Sequence, residues 1–121
     1  MDNHPMDGRK YIVGWLKLKP GRREAVLAIA RAYVEACRRE PGCLFFEMVP
    51  SLDDPDGLVI AECFADAAAH ATHLETLGFA SFWNVLNREG VSGRFENIIA
   101  GQVTPDGARF DGDTAAEVNP S

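Results

Sequence analysis

Cysteine is scarce and odd in number: Cys37, Cys43 and Cys63 are the only three, and no two form a CxxC pair. That argues against a disulfide framework and against the usual structural zinc patterns, and it points to a reducing cytoplasm. No apolar run approaches the ~20 residues that a membrane span requires. The opening MDNHPMDGRK is polar and acidic, unlike a secretory or transit leader. Basic charge is short as well, with 12 Lys and Arg against 18 Asp and Glu and a net charge of −6. Much of that excess sits at the ends: residues 104–121 carry Asp106, Asp111, Asp113 and Glu117 against Arg109 alone. Without a basic stripe, neither a nucleic-acid phosphate backbone nor an anionic membrane surface is an expected partner. Also lacking are a phosphate-cradling glycine motif, a zinc ligand set and a serine-nucleophile elbow, so flavin or nicotinamide binding in the usual modes finds no support.

What remains is ordinary globular material, 46% hydrophobic and 25% charged, which suits one domain that folds without staples. Pro, Gly and Asp clusters divide it. Residues 1–9 and the acidic stretch 104–121 lack an apolar period and read as flexible ends around a domain at 10–103. KYIVGWLKL at 10–18 reads as a strand stopped by Pro20-Gly21. Residues 22–39 lack Gly and Pro and place Val26, Ile29, Ala30, Tyr33 and Cys37 on one helical stripe, closed by Pro41-Gly42. A strand from Cys43 to Val49, the turn cluster SLDDPDG and a strand from Leu58 to Ala65 form a hairpin with a long loop. Asp66 suits an N-cap for a helix interrupted at Gly78 and resumed over FASFWNVLN. A last strand is expected over Arg94–Val103. The order βαββαβ predicts an α+β, ferredoxin-like fold with an antiparallel sheet and its helices on one face.

The strands are apolar on both sides. Leu44, Phe46 and Met48 alternate with Phe45 and Val49, while Leu58 and Ile60 alternate with Val59, Ala61 and Cys63. Two helices cover one face of a four-stranded sheet. An uncovered apolar face on a small protein marks an association surface, so a homodimer joined sheet to sheet is expected.

In this order and spacing the chain resembles the antibiotic biosynthesis monooxygenase family of dimeric α+β barrels over about residues 10–103. The resemblance rests on LKPG at 18–21, EPGCLFFEM at 40–48, DDP at 53–55 and AECFAD at 61–66, then Ala69 and His73 ahead of Phe79 and Phe82. It implies oxygenation of a quinol, anthrone or similar small aromatic compound by molecular oxygen, with no cofactor. Departures are visible: Phe64 stands where relatives often carry Trp or Tyr, and Leu77-Gly78 where they carry Pro-His. Gly14 and Phe64 replace the Asn and Trp of the haem-degrading branch, which weakens that reading.

Within the resemblance His73 matches the family's recurrent histidine, and an imidazole suits a base that deprotonates a phenolic or enolic substrate. His70, three residues earlier, reads as solvated surface. Glu62 is the lone acid in LVIAECFA, so it is either a pocket acid or the partner of a base such as Arg94. Arg94 in turn is a candidate anchor for an anionic oxygen. Phe46, Phe64, Phe79 and Phe82 match family positions lining a cavity suited to a flat aromatic ligand. The cysteines read as small buried hydrophobes. Two other functions compete: an isomerase moving protons on a small keto compound through His73 and Glu62, and a dimeric small-molecule-binding protein without chemistry.

Overall fold

A computed structural model describes residues 7–101 and residue 103 of the chain; the remainder of the expected flexible ends lies outside the described residues. Strand β1 (Lys10–Leu18) is followed by helix α1 (Arg23–Arg38), strands β2 (Cys43–Pro50) and β3 (Gly57–Phe64), helices α2 (Ala67–Leu74) and α3 (Leu77–Glu89), and strand β4 (Gly90–Ile99). The strands form one antiparallel sheet in the order β2-β3-β1-β4. This is the ferredoxin-like α+β arrangement. Residues 7–9 lengthen the β1–β4 ladder, since the Asp7 amide donates to the Gly101 carbonyl at 2.7 Å and the Ala100 amide to the Arg9 carbonyl at 2.8 Å.

Alternation along each strand decides which side chains meet the helices. Ile12, Leu16 and Leu18 of β1, Leu58, Ile60 and Phe64 of β3 and Phe46 of β2 are buried against Val26, Ala30, Val34 and Cys37 of α1 and Phe82 of α3. Register then sets one row across the sheet, Phe46–Glu62–Ile12–Asn97, with all four side chains on the helix side. Two details of the expected pattern change. The register slips between Cys43 and Phe45, so Leu44 is the extra residue of a β-bulge and is half exposed instead of sharing the face of Phe46 and Met48. On α1, Val34 takes the core place expected of Ile29, which is 45% exposed.

The helical layer also corrects two boundaries. The break between α2 and α3 falls at Glu75-Thr76, ahead of Gly78. The Thr76 hydroxyl caps α3 by accepting from the Phe79 amide at 3.1 Å and donates to the His73 carbonyl at 2.9 Å, closing α2. Asp66 does cap α2, accepting from the Ala69 amide at 2.8 Å. The last strand begins at Gly90, not Arg94, because the chain passes from α3 into β4 with no linker.

Two glycines matter for the site. At Gly42 φ is +85°, and a Cβ there would lie 2.6 Å from the Cβ of Ala69, so α2 rests directly on the turn after α1. At Gly14 a Cβ would lie 2.6 Å from the Phe95 ring, which lies across the bare backbone of β1.

Candidate active site

Helix α2 turns two imidazoles inward. His70 and His73 stand one turn apart and are 7% and 2% exposed, their ring centroids 6.1 Å apart. His70 is therefore buried, contrary to the solvated position expected of it, because α2 packs both histidines over Phe64. The Phe64 ring lies 5.2 and 5.1 Å from the two imidazole centroids. It is fully buried and supports the histidines from behind instead of lining the cavity.

The cavity, about 450 Å³, opens between the sheet and α2–α3. Phe46, Glu62, His73, Phe79 and Phe82 all line it, together with Tyr33, His70 and Phe95. Leu74 and Trp83, both about half exposed, also line it. Tyr33 stacks on Phe82 at 4.5 Å between centroids and meets the edge of Phe46 at 5.7 Å. The walls are thus mostly aromatic, with a small set of polar groups.

Those polar groups are organised around His73. Its Nδ1 lies 3.0 Å from both carboxylate oxygens of Glu40. A carboxylate only accepts, so Nδ1 carries the hydrogen and the neutral ring leaves Nε2 as the acceptor. Nε2 is 3.3 Å from the Tyr33 hydroxyl, which donates to it, and 3.9 Å from Glu62 Oε1. The ring is therefore held with Nδ1 donating to Glu40 and Nε2 beside the cavity's hydroxyl and carboxyl groups.

Glu62 is 7% exposed, and burial, with the charge of Glu40 adding, pushes its carboxyl up to about 7. Burial likewise raises the Tyr33 hydroxyl well above its ordinary value. His70 moves the other way, to about 4, chiefly through burial and then through the charge of Lys10. It is neutral at pH 7.

Arg94 is not part of this group. Register places it opposite Trp15 on the other face of the sheet, where its guanidinium carbon lies 4.3 Å from the Trp15 ring centroid. It neither pairs with Glu62 nor reaches the cavity. That same face leaves Trp15, Phe45, Val49 and Ile98 exposed by 38% or more.

Glu40, Tyr33 and His70 were missed as site residues. A signal existed for Glu40, which directly precedes the Pro41-Gly42 turn that brings the end of α1 back toward α2. Cys37, Glu40 and His73 each place one ligand-type atom within 4.8 Å of the others. Burial pushes the Cys37 thiol up to about 12, and Glu40 and His73 already satisfy each other. No described helix is long and apolar enough to cross a membrane.

Comparison with known proteins agrees with this architecture. An uncharacterized protein of Synechocystis is 27% identical over 71 residues, which span 59% of this chain and 48% of that protein. The chain thus matches about half the length of that relative. A solved structure named antibiotic biosynthesis monooxygenase superposes with a TM-score of 0.70 at 27% identity, covering 75% of this chain and 97% of the other. Protein SO0527 from Shewanella oneidensis superposes at 0.73 with 26% identity, covering 82% and 100%. A third, named a candidate antibiotic biosynthesis monooxygenase of Deinococcus radiodurans, has a TM-score of 0.75 at 20% identity, covering 82% and 99%, and speaks to the fold alone. The sequence profile for antibiotic biosynthesis monooxygenase matches residues 11–84, and the chain belongs to that family.

Proposed function

We propose that the protein is a cofactor-independent monooxygenase of a quinol, anthrone or similar electron-rich aromatic compound. The observation that carries this reading is the Glu40–His73 pair, whose free Nε2 faces Tyr33 and Glu62 in an otherwise aromatic cavity. In this mechanism His73 Nε2 removes a proton from a ring CH2 or from a phenolic hydroxyl, and the Glu40 carboxylate stabilises the imidazolium. For a CH2 substrate the resulting anion passes one electron to O2, and the carbon radical and superoxide then combine to form the C–O bond. The imidazolium returns its proton to the peroxide. The Glu62 carboxylate takes the second C–H proton as the O–O bond breaks, leaving C=O and hydroxide, and the Glu62 carboxyl then gives that proton to the hydroxide to form water. One O2 thus converts CH2 to C=O and one water. Phe46, Phe79 and Phe82 hold the ring and keep bulk water from the anion and the peroxide.

The test is oxygen uptake with labelled O2 over a panel of quinols and anthrones, with His73→Ala as the comparison. Label in the product and a loss of about a hundredfold or more in turnover are expected for a general base. No uptake, or unchanged turnover in His73→Ala, overturns the mechanism.

One observation favours a second reading. His73 and Glu62 form a pair of proton-transfer groups 3.9 Å apart, an arrangement that also suits isomerisation of a small keto compound. Turnover in the absence of oxygen would select it. The half-exposed apolar face that carries Trp15 and Phe45 supports a homodimer joined sheet to sheet, and the three free thiols suit a reducing, cytoplasmic setting.

A further inference from the structure

The oxygenase reading uses the polar groups around His73, yet the same cavity has a second polar end. Lys10, Asn97 and His70 also line it. The register fixes the separation of the two ends. Glu62 and Asn97 flank Ile12 on opposite sides, so two strand spacings, about 10 Å, lie between them. Lys10 is two residues before Ile12 on the same face of β1, about 7 Å along the strand. Ile12 is the floor between Glu62 and Asn97, and Phe95 lies on the side of Ile12 away from Lys10.

The second end is cationic. Among the described residues no carboxylate stands within ion-pair distance of Lys10. The charge of Lys10 bears on His70, whose Nδ1 is buried without a hydrogen-bond partner among the described residues. A buried, unpartnered ring nitrogen is a site that a ligand or water must satisfy. The register sets Lys10 one diagonal step from both Glu62 and Asn97, since both pair with Ile12, two residues further along β1.

We propose that Lys10 and Asn97, with His70 beside them, form an anion-binding end of the cavity, so that the natural ligand is a flat aromatic acid. Its carboxylate lies against the Lys10–Asn97 wall while its ring faces His73. The inference rests on the reading of this cavity as the substrate site, and it adds the acidic arm. Charge-assisted hydrogen bonds from the ammonium and the Asn97 amide hold the carboxylate, while the phenylalanines hold the ring.

Calorimetric titration of the full chain with 6-hydroxy-2-naphthoic acid and with its neutral amide tests this. At pH 8 the acid binds about tenfold or more tighter than the amide, the scale of a charge-assisted contact. Lys10→Met abolishes the preference and leaves the affinity for the amide unchanged, whereas Lys10→Arg keeps the preference. Asn97→Leu reduces the preference in part. Equal affinity for acid and amide, no binding of either, or equal loss of both in Lys10→Met overturns the proposal. Oxygen is not read in this titration. Selective binding of the acid by a chain that consumes no oxygen therefore retires only the oxygenase reading. Oxygen consumption without acid preference retires only the acidic arm.

Discussion

Glu62 makes stability depend on pH in a way that one substitution should remove. Its carboxyl is 7% exposed and is raised from an ordinary 4.5 to about 7, first by burial and then by Glu40. Between those two values the unfolded chain has lost a proton that the folded chain still holds. The folded state binds more protons there, so stability falls as pH rises from 4.5 and levels off above 7. Each pH unit is worth about 1.4 kcal/mol, so the full penalty is about 3 kcal/mol. Glu62→Gln keeps the shape of the protonated acid and carries no charge at any pH. Urea unfolding at one fixed protein concentration, followed by Trp fluorescence, should find the variant ahead by less than about 1 kcal/mol at pH 5 and by about 3 kcal/mol at pH 8. An equal gain at both pH values would show that the benefit is packing, not charge. A loss at pH 8 would show that the ionised carboxylate is paired in the folded protein, and the account of its burial would fail.

Three further outcomes can be checked. Glu40→Gln should lower turnover by roughly tenfold or more while leaving the affinity for an inert aromatic analogue near wild type, because the amide no longer stabilises the imidazolium; steady-state kinetics beside calorimetry separates the two. Gly14→Ala should cost roughly 1–3 kcal/mol in urea unfolding and weaken ligand binding, since the new methyl pushes the Phe95 ring out of its place. Phe95→Leu should recover part of both losses, and failure to do so would remove Phe95 as the cause. The proposed sheet-to-sheet dimer requires the chain to sediment as a dimer and Phe45→Lys as a monomer; a monomeric wild-type chain, or an unchanged sedimentation coefficient in the variant, would refute it.

The legible parts of this chain are those where local chemistry decides. Pro20-Gly21 and Pro41-Gly42 end β1 and α1 as their backbone restrictions require, and alternation in β3 puts Glu62 among Ile60 and Phe64. The start of β4 was lost because helix runs straight into strand at Glu89-Gly90, with none of the linker expected before Arg94. The break before α3 was misplaced because a threonine cap leaves a weaker trace than a glycine. Within the site, His73 was legible from family resemblance, and Glu62 from its isolation in an apolar strand. Arg94 was not, because its face depends on register with Trp15, a relation between distant segments. Tyr33 lies on α1 and Glu40 just beyond its end, and both reach His73 only where that part of the chain packs against α2. His70 looked like surface because a polar residue in an alanine-rich helix carries no mark of which way the helix turns.

Gly42 has a consequence that reaches beyond its own turn. The 3.0 Å spacing between Glu40 and the His73 ring depends on how closely a helix sits on a turn, and the missing methyl at position 42 governs that closeness. Position 42 is therefore a spacer that touches neither the acid nor the base. Gly42→Ala would act as a wedge, lengthening the hydrogen bond while leaving both chemical partners intact, and Ala69→Gly would relieve the contact by opening the facing side, leaving only the backbone cost of a Cβ at φ +85°. Substituting Glu40 or His73 changes what the two groups are, whereas this pair of small residues changes only how far apart they stand. It offers a ruler for how steeply the reactivity of a histidine depends on the distance to its carboxylate.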